Sequence, residues 1–222
     1  MNYTPLYIIR LSCTDLESAV SWYIDQGFKS LCFEEEIAAV WIEKEELILC
    51  ITQSATDSPA LVGYWEKPDE AVKKMEELGV VFNFSADAMG DHFEAHFTDP
   101  AGLPVIIADK YDLPKEITSS VIRGELTVPS AHSFQDSVNF WHSLGFEIQP
   151  GGAQPHAWSV LKHGNMTVGI HQSMNWEKPG ICFPKEVCPL ETEVEALLDI
   201  KVYEKVKIGR SADGCRIYRL GG

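Results

Sequence analysis

The chain has 222 residues, of which 45% are hydrophobic, and a formal charge of −15. So acidic a composition argues against a nucleic-acid partner, which needs a basic face; it suits cationic ligands as well as plain solubility. No apolar run is long enough for a membrane helix and Met1–Pro5 carries no basic stretch, so a cytoplasmic protein without membrane contact is expected.

Tyr7–Leu11 reads as a strand. Thr14 or Asp15 then caps a helix whose apolar stripe is Leu16, Val20, Tyr23 and Ile24, and Gly27 ends it as a left-handed residue. Strands are expected over Phe28–Phe33, Ala38–Glu43 and Leu47–Thr52, the last two joined by the short turn Lys44-Glu45-Glu46. A second β-α-β-β-β set follows: Leu61–Trp65, a helix over Ala71–Leu78 opened by Pro68 and closed by Gly79, then Val80–Phe84, His92–Phe97 and Val105–Ala108. Leu113–Ser120 is polar, carries Pro114 and reads as a linker.

After the linker the pattern restarts with Arg123–Val128, a helix over Ser133–Leu144 and Phe146–Gln149. Ala157–Lys162, Met166–His171 and Ile181–Val187 are expected as strands, Leu190–Leu198 as a helix, and Val202–Lys207 and Cys215–Leu220 as closing strands. The restart is a duplication: Asp15 to Gly27-Phe28 matches Ser133 to Gly145-Phe146 at a constant offset of 118. Ile51-Thr52-Gln53-Ser54 matches Ile170-His171-Gln172-Ser173 at 119, and Ala101-Gly102 matches Asp213-Gly214 at 112. A repeat this long is a whole domain, giving domains at 1–112 and 121–222 around the linker 113–120.

Four such units, with Phe97-Thr98-Asp99-Pro100-Ala101-Gly102 turning into a closing strand, resemble the vicinal oxygen chelate superfamily of glyoxalases, bleomycin-resistance proteins and extradiol dioxygenases. The resemblance implies an α+β fold of two tandem glyoxalase-like domains, open curved sheets forming clefts with helices outside. The chain would then be a family homodimer fused into one polypeptide, a pseudo-dimer with further homodimerisation left open. Many members hold a divalent metal through the first and last strands of each unit. Those places fall at Ile8, Cys50, Ala60 and Ile106 in copy one, and at Leu126, Gly169, near Gly180 and Tyr218 in copy two. None is a His, Gln or carboxylate, so no metal and no cofactor are expected.

The remaining candidates each have two readings. Arg10 shares parity with Ile8 and could clamp a carboxylate or phosphate, or pair with an acidic neighbour. His171 shares parity with Gly169. Trp41, Trp65, Trp158 and Trp176 could form an aromatic box or pack ordinarily, whereas Trp22 and Trp141 belong to helical stripes. Tyr218 could orient a ligand, and Cys50 is its buried counterpart. His92, Glu94 and His96 alternate along a strand; a solvated face is favoured over an acid/base or metal face. The six cysteines, without CxxC spacing, read as reduced thiols.

The expected function is a metal-independent small-molecule binding protein, similar to the bleomycin-resistance branch, holding an aromatic or cationic ligand with Arg10, Trp41, Cys50, Trp158, His171 and Tyr218. The alternatives are a glyoxalase-like lyase or dioxygenase using a divalent metal, and a non-catalytic scaffold.

Overall fold

The computed structural model describes residues 4–35, 37–54, 58–86, 93–120, 125–153, 156–172, 178–184, 188, 196–198, 206–211 and 213–220. Copy one runs β1 (Leu6–Cys13), α1 (Leu16–Asp25), β2 (Lys29–Glu34), β3 (Ala39–Lys44), β4 (Leu47–Gln53) and β5 (Ala60–Trp65). It continues with α2 (Pro68–Glu77), β6 (Phe84–Ala86), β7 (Glu94–Thr98) and β8 (Pro104–Asp109). Copy two contributes β9 (Glu125–Pro129), α3 (Phe134–Ser143), β10 (Glu147–Ile148), β11 (Trp158–His163) and β12 (Met166–His171). It ends with β13 (Gly180–Pro184), β14 (Ala196–Leu198), β15 (Val206–Arg210) and β16 (Arg216–Leu220).

Each copy forms one mixed sheet, and the two orders are the same permutation: β2-β3-β4-β1-β5-β8-β7-β6 and β10-β11-β12-β9-β13-β16-β15-β14. Neither closes into a barrel. The fold class is therefore α+β, as the duplicated pattern implies. In the first sheet β1 pairs parallel with β4 and antiparallel with β5, and β5 pairs parallel with β8.

Local chemistry sets the helix ends. Asp15 caps α1, its carboxylate accepting from Ser18 N at 3.0 Å. Gly27 and Gly145 end α1 and α3 at φ +86 and +95, a conformation that side chains resist. Period-2 alternation then sorts the strands into two faces. Ile9 and Leu11 face the helix layer with Ala19 and Tyr23, as Leu126 and Val128 do in copy two. Ile8, Trp41, Cys50 and Val62 lie on the other, helix-free face.

The helix layer is continuous between the copies: Tyr7 packs on Phe146 and Phe97 on Phe140, at ring distances of 5.7 and 6.0 Å. At its centre the Asp99 turn of copy one receives Trp141 of α3, whose indole donates to Oδ2 at 2.9 Å. Asp99 Oδ1 also accepts from Ala101 N and Leu103 N at 2.9 and 2.7 Å. The reverse contact exists too. Tyr23, which matches Trp141 at the repeat offset of 118, is buried beside Ser211 and Asp213 in the corresponding turn of copy two. A second tie is Asn165, which accepts from Tyr7 N at 3.0 Å and donates to Tyr7 O and Ser120 O.

In the linker, Ile117 and Ser120 are 3% and 4% exposed, and Leu113 and Ile117 pack on the helix-free face of the first sheet. Two expectations change. Of the expected helix Leu190–Leu198, residues Ala196–Leu198 are instead a strand, paired with Val206–Ile208, and 190–195 lie outside the described residues. The second strand of the second unit begins at Phe84, because Val80 ends the helix connection and Asn83 is the first residue to bond β7, through His96 O.

Asp99→Ala removes one acceptor from three donors. It is expected to cost about 3 kcal/mol of unfolding free energy, read from urea denaturation. A loss below about 1 kcal/mol would show that the carboxylate does not hold the copies together.

Candidate functional site

On the first sheet, β3, β4 and β1 bring Trp41, Cys50 and Arg10 into one row, with Trp41 opposite Cys50 and Cys50 opposite Arg10. Ile8, Ala60 and Ile106 share that face and are buried with them, so this face is packed shut. Trp41 is 0% exposed and its indole donates to Glu34 Oε2 at 3.1 Å, so it is a wall and not one side of an open box. Burial pushes the Cys50 thiol up to about 12, which leaves it an inert packing group.

Arg10 makes an ion pair. Its Nη2 donates to Glu94 Oε1 at 2.6 Å, and His96 Nε2 lies 2.8 Å from Glu94 Oε2. The Glu94/His96 face is half-buried and ion-paired and alternates with the buried Ala95 and Phe97; His92 lies outside the described residues. Burial opposes the Glu94 charge, but the hydrogen bonds and charges of His96 and Arg10 outweigh it and hold the carboxyl at about 2. Arg10 Nε is buried without an acceptor among the described residues.

The second sheet is different at every one of these places. Its first-strand position is Glu125, not Leu126. Ile8 pairs with Val62 on β5 as Glu125 pairs with Cys182 on β13, while Leu126 faces the helices. The offset of 118 that aligns the helices falls to 117 in the strand, because the β9–α3 connection is one residue longer than β1–α1. One residue turns a strand side chain to the opposite face. The polar alternation Glu125-Leu126-Thr127-Val128 carried that signal.

Glu125 lies over Gly169, where a Cβ would collide with its carboxylate. His171 Nε2 is 3.0 Å from Glu125 Oε1, and its Nδ1 is 3.3 Å from His156 Nε2. His171 thus bridges the Glu125 carboxylate and the His156 ring. Burial, then the facing His171, holds the His156 imidazole below its usual value and hence neutral. The three groups form a relay that ends on the half-buried His156. His156 was not among the sequence candidates; it precedes β11 and nothing in its local pattern marks it.

The other candidates surround this relay. Trp158 pairs across the ladder with His171 and is half-buried. Tyr218 pairs with Cys182 and donates to Lys178 O at 3.2 Å; it is 1% exposed, so it shapes the floor. Burial, then Glu125, pushes the Cys182 thiol up. Thr127 Oγ1 is 3.4 Å from Glu125 Oε1. Trp65 shares parity with Leu61 on the helix side, away from the candidate box, and Trp176 lies outside the described residues.

No protein-family model and no curated protein matches the chain. Solved structures do. A variant of homoprotocatechuate 2,3-dioxygenase from Brevibacterium fuscum is similar over 99% of this chain and 72% of its own, at 13% identity and TM-score 0.60. A catechol 2,3-dioxygenase is similar over 100% and 94%, at 11% identity and TM-score 0.60. A Mn(II)-bound glyoxalase from Novosphingobium aromaticivorans is similar over 97% and 81%, at 14% identity and TM-score 0.60. The chain shares the fold of these dioxygenases and this glyoxalase.

The described residues on this face of the second sheet do not form a donor set that fits a divalent metal. Of Glu125, Gly169, Gly180 and Tyr218, only Glu125 is a usual oxygen donor, and its Oε1 already accepts from His171. Among the described residues no group of three or more His, Cys, Asp or Glu side chains is placed to hold a metal ion. Among them, too, no helix is long and apolar enough to cross a membrane.

The first-sheet ion pair has a pH signature. The Glu94 carboxyl sits at about 2, below its ordinary 4.5, so its stabilisation is full above pH 4.5 and is lost as pH falls towards 2. Glu94→Gln should cost about 2 kcal/mol at neutral pH and flatten that acid dependence. Denaturation at neutral and acid pH checks both; an unchanged slope would place the acid sensitivity elsewhere.

Proposed function

We propose that this chain is a metal-independent small-molecule binding protein of the bleomycin-resistance type, with one working site, on the helix-free face of the second sheet. The observation that carries the proposal is the Glu125–His171 pair seated over Gly169, on a face whose counterpart in copy one is packed shut. A buried carboxylate held by one histidine attracts a cation or a hydrogen-bond donor. Trp158 offers an aromatic surface beside it. The chain's charge of −15 raises the local concentration of cations. The ligand class is therefore a planar or quaternary cation.

The dioxygenases and the glyoxalase that share the fold favour a metal-dependent enzyme as the second reading. The donor set of the second sheet weighs against it.

The test is calorimetric titration of the whole chain with N-methylquinolinium, a planar aromatic cation, with tryptophan fluorescence as a second readout. Binding should weaken about tenfold in Glu125→Gln, a loss of about 1.4 kcal/mol, and should be unchanged in Glu94→Gln. Stoichiometric metal in protein purified without chelator, lost on Glu125→Gln, would overturn the proposal in favour of the enzyme.

A further inference from the structure

A separate cavity of about 400 Å³ lies on the helix side of the molecule, where α2 of copy one meets the α3–β10 turn of copy two. Its volume is in the range of small-molecule sites. Its apolar walls include Trp65, Met75 and Leu144. The indole of Trp65 can lie close against the sheet because residue 63 is a glycine, where a Cβ would crowd Trp65 Nε1 at 3.0 Å.

The polar groups of this cavity are incompletely matched. Lys67 Nζ pairs with Glu70 Oε1 at 2.6 Å and Lys110 with Glu66 at 2.7 Å, so these charges cancel. Lys74 has no ion pair or hydrogen bond among the described residues. His163 Nδ1 lies 2.8 Å from the Tyr7 hydroxyl, and burial holds its imidazole below the usual value. Glu70 Oε2 is buried without a donor. Among the described residues the cavity thus holds a cation without an acceptor, the His163 ring beside it, and one carboxylate oxygen without a donor.

We propose that this cavity is a second ligand site, for an aromatic carboxylate that also carries a hydroxyl or amino donor. Its ring packs on Trp65, its carboxylate meets Lys74 and His163, and its donor meets Glu70 Oε2. Because the walls come from both copies, such a ligand bridges them. The site is independent of the second-sheet relay, and its chemistry is of opposite sign.

Indole-3-lactate serves as the probe, titrated calorimetrically into the whole chain. Saturable binding to wild type is expected, weakened about tenfold in Lys74→Ala, partly kept in Lys74→Arg and unchanged in Glu125→Gln. Indole-3-ethanol, which lacks the carboxylate, should bind about tenfold more weakly than indole-3-lactate. Lys74 is exposed, so the alanine variant should melt with wild type. No saturable binding to wild type, binding undiminished in Lys74→Ala, or binding lost in Glu125→Gln would each overturn the proposal. The last result would assign the probe to the second-sheet site.

Discussion

Trp141 reaches Asp99 only because the helix that carries it lies against the other copy, and that crossing constrains most of what surrounds it. A carboxylate taken out of water must be fully bonded, and Asp99 is bonded by two backbone amides of its own turn and one indole from the other domain. The turn and the helix therefore cannot be separated without stranding buried polar groups. Tyr23 lies beside Ser211 and Asp213 in the corresponding turn of copy two, but there its hydroxyl and both Asp213 oxygens have no hydrogen-bond partner among the described residues. With the two copies locked through their helix sides, each sheet is left with one face free to differ.

They differ sharply. The first sheet fills its helix-free face with isoleucine, valine, tryptophan and cysteine, and the segment after β8 packs Leu113 and Ile117 onto it. Arg10 and Glu94, the charged groups at its margin, neutralise each other. The second sheet keeps Glu125, Thr127, His171 and Cys182 on the same face. Burying such groups costs free energy unless they bond to one another, and the relay from His156 to Glu125 does so while leaving one end accessible. A fold with one hydrophobic and one polar copy can tolerate that cost, since the packed copy supplies cohesion.

Much of this was legible in the sequence because duplication and alternation are periodic signals. The repeat gave two copies of one topology, and parity placed Arg10 on the face of Ile8. Glu125 was missed because the register was carried from the helices, where matching residues are most alike, into a strand beyond a connection one residue longer. His156 was missed because its role arises from a contact that no local pattern encodes. The linker looked polar as a whole, yet Leu113 and Ile117 were enough to bind it down. The Arg10–Glu94 pair joins residues 84 apart in sequence, and no spacing rule reaches that far.

Gly169 has an implication for how substitutions at this site should be judged. It contributes no atom to any ligand, yet Glu125 can occupy its place only while position 169 has no side chain. The smallest conservative change there, to alanine, would displace the carboxylate and disconnect it from His171 while every polar residue of the relay remained present. A site defined partly by empty volume can be lost without losing any of its chemistry-bearing residues.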